Sequence, residues 1–386
     1  MLAGELPSAL PSALPSAKYQ MPSATGQFDL AIVGAGPAGS SAAITAARLG
    51  VRVLLLEARD FPRHKVCGEF VSAEALEVLA GLLRDVPSSK SLFVDALAID
   101  RTRLLLGTRV VEAPVSPAAL SITRYDLDAH LWKAAQAAGV ETHANCEVLA
   151  NRGDGPFQLQ TSSGKFAAKA LIIAAGRWSQ FTSDRTVPPG PKWIGLKAHF
   201  HEADPARSTD LYFFDHGYCG VQPVAKEMVN ACAMVRSDTA TSLQAVFALH
   251  PLLAKRSAAW KVATPPVSTA PLIYRRPQPV RGHVILIGDA AAFIDPFAGD
   301  GISIALRSGQ AAGRCVGQFL AGETTLTESV AAYRREYARQ FAPLLSAASW
   351  VRSLLSLPVL AKAAAFELLR FPGVMPFVIR KTRRAG

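Results

Sequence analysis

The sequence predicts an α/β fold in three layers, ββα in order, in which a second, antiparallel β-rich part is threaded through a parallel sheet and helices close the C-terminal end. Three observations predict it. One complete strand–helix–strand unit lies between residues 28 and 57. Two later apolar runs, Ala170–Ala174 and His283–Ile287, each stop at a glycine, as buried parallel strands do. Two long insertions, about residues 86–120 and 187–278, carry short alternating patterns such as Phe200-His201-Glu202 and Val229–Val235. That alternation suits an antiparallel sheet with one face covered.

Taken in order, the chain opens on a repeated L-P-S-A between Leu6 and Ala17, echoed at Met21–Ala24. The prolines break any apolar run, so a secretory signal is not expected and residues 1–26 read as a flexible low-complexity tail. Phe28-Asp29-Leu30-Ala31-Ile32-Val33 is too short and too β-branched for a helix and reads as a buried strand. Ser40 to Leu49 is a small-residue helix stopped by Gly50, and Val51 to Leu56 a second strand that ends on Glu57. Tyr125 to Ala138 reads as a long helix. The parallel-sheet domain is accordingly expected over 27–85, 119–186 and 279–325, a substrate domain over 86–118 and 187–278, and a helical region over 326–386.

With 386 residues, half of them hydrophobic and 18% charged, the chain has ample material for a core. Its net charge of +11 suits an anionic membrane surface, a phosphate-rich cofactor or nucleic acid. Nucleic acid is the weakest of these, because no basic run interleaved with aromatics is present. The five cysteines, Cys67, Cys146, Cys219, Cys232 and Cys315, form no C-x-x-C pair, so zinc and dithiol motifs are unsupported. Free thiols at wide spacing suit a reducing cytoplasm. His199 and His201 alternate on an expected strand and lack a third ligand nearby in sequence, so no metal site is expected.

Two motifs carry chemistry. Gly34, Gly36, Pro37, Ala38 and Gly39 lie between the first strand and its helix. The first glycine makes the turn, the second admits a pyrophosphate close to the backbone, and the third lets helix and strand pack. Glu57, 18 residues after Gly39, stands where a carboxylate accepts from ribose hydroxyls, with Ala58 beside it. This makes the parallel domain a Rossmann-like dinucleotide unit. The second motif is Gly288-Asp289-Ala290-Ala291 followed by Asp295-Pro296-Phe297-Ala298-Gly299-Asp300-Gly301-Ile302. An Asp at a strand end can bond ribityl hydroxyls, and a glycine-rich helix start can face a flavin edge that becomes anionic on reduction. One bound FAD is therefore expected. With no second dinucleotide fingerprint, NAD(P)H would visit transiently as electron donor.

On these residues the chain resembles the FAD-dependent oxidoreductases of the p-hydroxybenzoate hydroxylase fold, over about Phe28 to Leu320. Within that superfamily, Phe61-Pro62-Arg63-His64-Lys65-Val66-Cys67-Gly68-Glu69-Phe70-Val71-Ser72 resembles a stretch of the geranylgeranyl reductase group. The resemblance implies that Arg63, Lys65, Cys67 and Gly68 lie beside the flavin ring and phosphates. It implies also that Arg124, in an R-x-D-x-D element with Asp126, meets FAD. The backbone around Val148 would meet the adenine, and Ala175-Gly176 would close over the adenosine. Hydroxylases carry Asp-Gly where Ala175-Gly176 stands, and the halogenases' W-x-W-x-I-P segment is absent. The prenyl reductases' Tyr-x-Trp-x-Phe-Pro is represented only by Tyr218 and Pro223.

The candidate catalytic residues are Cys67, as a thiol or steric gate, Glu69, as a proton donor, and Tyr218, as a substrate contact. The expected activity is reduction of a carbon–carbon double bond in a prenyl-like or other apolar substrate. A flavin monooxygenase acting on an aromatic or polyketide-type substrate shares nearly all these residues, and a non-catalytic redox sensor is the third reading. From Trp350 to Arg384 the chain is apolar with a basic end and has no unbroken apolar span. It reads as a helical cap, or as an interfacial segment touching anionic lipid at the inner membrane face.

Overall fold

The computed structural model describes residues 26–177, 181, 189–269, 271–274, 276–293, 299–355 and 366–367. The N-terminal repeat, Pro296 and most of the basic C-terminal segment lie outside the described residues.

The first sheet runs β16 (Val280–Arg281), β17 (Val284–Leu286), β9 (Gly164–Ile173), β1 (Gly26–Val33), β2 (Val53–Leu56), β6 (Glu141–His143). From β17 to β6 its pairs are parallel, while β7 (Val148–Arg152) and β8 (Phe157–Thr161) form an antiparallel meander with β9. Leu30, Ala31 and Ile32 are fully buried because β1 has a strand on each side and helices above it. Register brings the strand ends together: Val33 lies opposite Leu56 and Ile173, and Leu286 opposite Ile173. The turns after these strands hold residues 34–39, 57, 174–176 and 288–289, so both motifs meet at one carboxyl edge, where parallel α/β sheets bind ligands.

Helix α1 (Pro37–Ala47) starts with proline in its first turn, where a missing N–H costs nothing. α2 (Ala73–Leu83), α3 (Ser89–Val94) and α4 (Arg124–Ala137) follow it in sequence. α7 (Gly301–Leu320) lies against α1 at backbone distance. A Cβ on Gly309 would stand 2.3 Å from the Ala38 carbonyl, and one on Gly313 2.8 Å from that of Ala42. Ser41 Oγ, also on α1, donates to Leu306 O at 2.7 Å. α8 (Leu326–Leu355) packs outside α7, and its buried Tyr333 hydroxyl donates to Leu286 O.

The second sheet runs β14 (Lys261–Val262), β10 (Trp193–His201), β13 (Met228–Arg236), β12 (Gly217–Ala225), β11 (Ser208–Phe214), β4 (Leu97–Leu106), β5 (Arg109–Ser121), β3 (Phe70–Val71). β15 (Val267–Thr269) pairs with β10, and every ladder but β4 with β11 is antiparallel. Strand alternation gives the sheet two unlike faces. One face buries Phe200, Cys219, Val221, Ala231 and Ala233 with Leu243, Val246 and Leu253 from α5 (Leu243–Ala248) and α6 (Pro251–Ser257). Arg256 ties α6 down through Glu202 and the buried Asp210. The opposite face holds Lys197, His199, Asn230, Cys232, Met234, Tyr218 and Gln222, and it is this face that meets the loop 63–69.

Candidate active site

The turn after β1 is a cradle only glycine can line. Gly34 has φ of +101°, and a Cβ there would meet the Ala174 carbonyl at 2.6 Å. A Cβ on Gly39 would stand 1.8 Å from Gly34 O. Over Gly36 the neighbours are instead the guanidinium ends of Arg63 and Arg124, 3.9 and 4.0 Å from where a Cβ would be. Both guanidiniums are held in place by Asp128, which is fully buried. Arg124 grips it with Nε and Nη2, both at 2.8 Å, and Arg63 Nε reaches it at 3.1 Å. Arg63 also pairs with Glu57. Burial works against the Arg124 charge, but Asp128 more than offsets it and raises the guanidinium pKa. Three cations, counting exposed Lys65, thus face two anions around an open glycine backbone, which suits a pyrophosphate.

Glu57 sits where the sequence puts it, its Oε2 accepting from Ala35 N at 2.8 Å and Oε1 from Arg59 N at 3.1 Å. Ala58 follows it, exposed. Cys146 N donates to Glu57 O, and Val148, buried, begins β7 beside it. Ala175 and Gly176, the latter at φ +72°, follow β9 next to Gly34. Gly288, at φ +57°, would drive a Cβ to 2.9 Å from Ala38 Cβ, and its N–H donates to Ser308 Oγ. Asp289 is half-exposed, with Arg177 Nη1 3.8 Å away. Gly299 packs on Phe70, Asp300 is buried ahead of α7, and Gly301 and Ile302 open that helix.

The loop 67–69 is clamped onto the second sheet. Asn230 Nδ2 donates to the carbonyls of Cys67 and Gly68 at 3.0 and 2.9 Å. Half-buried Cys67 accepts from Glu69 N through Sγ at 3.4 Å. Glu69 has φ of +63°, a left-handed conformation that strains a side chain this large. Its fully buried carboxylate accepts from Arg124 N at 2.8 Å and from Lys197 Nζ on Oε1, and from His199 Nε2 at 2.7 Å on Oε2. Burial raises the Glu69 pKa, while His199 and the Lys197 charge more than reverse it and hold the carboxyl below its usual range. The proton-donor role expected of Glu69 does not fit this setting, because its carboxyl is held in the ionised form and accepts from Lys197 and His199.

His64, Glu69 and His199 come within 4.8 Å of one another, so His199 does have the neighbours that sequence spacing hides. The Lys197 ammonium, fully buried against Glu69, already supplies the cation that this carboxylate requires. Lys197, His199, Asn230 and Asp128 are the residues that sequence reading missed. The available signal for the first two was a lysine and a histidine on the polar phase of an alternating strand, which the fold buries along with the apolar phase.

His64 stacks on Tyr125, ring centroids 4.9 Å apart, and meets His199 edge-on at 5.0 Å. Burial, then the Lys197 and His199 charges, push its pKa from 6.5 down to about 4, against a smaller pull from Glu69. Above pH 6.5 neither the folded nor the unfolded chain protonates this ring. As pH falls toward 4 the unfolded chain takes a proton that the folded one refuses, so stability falls across that window. The melting temperature is expected to drop between these pH values, and His64→Phe to flatten the drop; equal slopes in both proteins would show that His64 is not its source.

The parallel sheet with its glycine cradle, and the antiparallel sheet clamped over it, define a dinucleotide-dependent oxidoreductase. The chain belongs to the FAD binding domain family, whose model matches residues 27–343, and it is an FAD-dependent oxidoreductase. It is 24% identical to a digeranylgeranylglycerophospholipid reductase of Methanocella arvoryzae over 80% of this chain and 82% of that one. It is 26% identical to a menaquinone reductase of Mycobacterium tuberculosis over 74% and 75%. A third relative, conditioned medium factor receptor 1 of Dictyostelium discoideum, is 25% identical over 74% of this chain, which spans 62% of that protein's length. In solved structures the fold matches a geranylgeranyl bacteriochlorophyll reductase-like protein of Thermoplasma acidophilum, with TM-score 0.75, 20% identity, and 93% and 97% of the two chains covered. A flavin-dependent brominase matches equally well, with TM-score 0.75, 20% identity, and 92% and 93% covered. The reductase relatives and the reductase-like structure support the geranylgeranyl reductase group read from the sequence.

Proposed function

We propose that the chain is a reductase that saturates a carbon–carbon double bond in a prenyl-like or other long apolar substrate. FAD, when bound, supplies the hydride equivalent for such a reaction, and NAD(P)H visiting transiently would restore it. Arg63, Arg124 and the N-terminus of α1 would hold its pyrophosphate, Glu57 a ribose, and Asp289 with the start of α7 the ribityl chain and ring edge. The observation that carries the proposal is the dry, proton-bearing cluster directly behind the loop 67–69. Saturating a double bond needs a proton as well as a hydride, delivered where water is excluded. Lys197 Nζ and His199 Nε2 both hydrogen-bond to the Glu69 carboxylate, which holds them oriented at zero or near-zero exposure. Tyr218, Met234 and Phe213 on the same sheet face offer an apolar surface to the substrate.

The protein, reduced under anaerobic conditions, is mixed with a geranylgeranyl-type lipid. Flavin colour should return without oxygen, and the lipid should gain two hydrogens. Colour that returns only with oxygen, and a product that gains an oxygen atom, would overturn the reductase reading in favour of a monooxygenase. We further propose peripheral contact with an anionic membrane surface, for which the net charge of +11 and the apolar substrate speak. No helix among the described residues is long and apolar enough to cross a membrane.

A further inference from the structure

Register makes the site-facing side of the second sheet a graded surface. His199, Asn230 and Gln222 lie side by side across β10, β13 and β12; Lys197, Cys232 and Gly220 form the next row; Gly195, Met234 and Tyr218 the one after. The first row is polar: His199 and Asn230 are clamped to the loop 67–69, and Gln222 donates to Ser121 Oγ. In the third row Met234 and Tyr218 join a cluster of Leu104, Val111, Ala113, Phe213 and Leu272. Phe293, four residues beyond Asp289, packs on this cluster and meets the Tyr274 ring at a tilt, centroids 5.2 Å apart, so the apolar surface reaches back to the cofactor motif. One member is foreign to the sheet. Phe366, 46 residues past the end of α7, is 6% exposed within the cluster. Its neighbour Glu367 meets Arg109 Nε at 3.0 Å in a pair half-open to water, and such pairs contribute little.

We propose that Phe366 closes the apolar end of this surface and sets how much of a long apolar substrate chain the protein accepts. The other buried members stand on strands, apart from Leu272, whose N–H donates to Trp193 O at 2.6 Å. Among the described residues Phe366 is therefore the buried member of the cluster that neither the sheet nor such a bond to it fixes, and a longer chain gains room there. An apolar segment entering there takes over the contacts of the displaced ring and exchanges one buried apolar surface for another. The weak Arg109–Glu367 pair makes that exchange easy to reach.

The substrate class rests on the reductase proposal, so the test reads binding and not turnover. Flavin-loaded wild type, Phe366→Ala and Phe366→Leu are titrated with decanol, farnesol and geranylgeraniol, following quenching of protein fluorescence. Phe366→Ala should bind geranylgeraniol roughly tenfold more tightly while leaving decanol unchanged. Phe366→Leu, which keeps most of the volume should the alanine variant fail to fold, should move the same way by a few fold, as should Arg109→Ala. Equal changes for all three alcohols, or none, at unchanged flavin content would overturn the proposal. A chain-length shift in a protein that never reduces the lipid would sink the reductase reading alone.

Discussion

Gly39→Ala is expected to yield protein that purifies almost without flavin. The added methyl would sit 1.8 Å from Gly34 O and 3.0 Å from Ala174 Cβ, and neither neighbour is a flexible side-chain tip. The strain is relieved only if the start of α1 lifts off the turn, and that lift also moves the N–H groups that would face the pyrophosphate. Overpacking of this kind costs about 1–3 kcal/mol in stability. The same displacement charged against binding at ~3 kcal/mol weakens cofactor affinity by more than about 100-fold. The ratio of flavin to protein absorbance reads the effect directly. Gly81→Ala in α2 is the matched comparison, because a Cβ there meets nothing within 4 Å and the residue stands outside the cofactor site, so it should keep its flavin. Full flavin in Gly39→Ala would mean that the cradle is not where the cofactor sits.

The second large effect is expected from Glu69→Ala. It strands the Lys197 ammonium and His199 in a fully buried site with no counter-charge. Removing one partner of a buried pair costs about 3–5 kcal/mol, a large share of the 5–15 kcal/mol that holds a typical domain together. Lys197→Met should cost a similar amount for the mirror-image reason, leaving the buried Glu69 carboxylate without its ammonium partner. The double variant Glu69→Gln with Lys197→Met, which removes both charges, should recover much of the loss in chemical denaturation. Additive losses would show that the two groups do not act as a pair. For the proposed reaction the double variant gives the sharper reading: a protein folded and flavin-loaded but without the Lys197 proton should lose turnover while keeping substrate binding.

The parts of the site that sequence shows are those built by near neighbours. Gly34, Gly36 and Gly39 are legible because one turn imposes their spacing, and Glu57 because it ends the next strand. Gly288 and Asp289 are legible for the same reason at another strand end. Asp128, which fixes both Arg63 and Arg124, was one helical turn away from Arg124 within an R-x-D-x-D element, yet Asp126 was the acid read from it. The helix settles the matter: Asp126 lies exposed in the first turn and bonds Thr123, while Asp128 points inward. Glu69 was legible as a special residue and not as an ion-paired one. Its partners come from a strand whose Lys197 is 128 residues away, and no local pattern carries such a pairing. The antiparallel strands were visible as alternation; their order in the sheet was not, because pairing is set by the whole core.

The close seam between α1 and α7 has a consequence for how the molecule comes into being. Ser41 and Leu306, joined by a hydrogen bond across that seam, are 265 residues apart in sequence. At a synthesis rate of about 5–20 residues per second, the ribosome finishes the second helix roughly 13 to 50 seconds after the first. Throughout that interval the alanine-rich flank of α1 has no partner, and the cofactor's cleft lacks its far wall. Assembly of so non-local a seam is slow, and the unfinished chain is exposed to wrong associations meanwhile. Cofactor capture is therefore a late event in the life of the chain, because the cleft gains its far wall only when α7 has emerged and docked on α1.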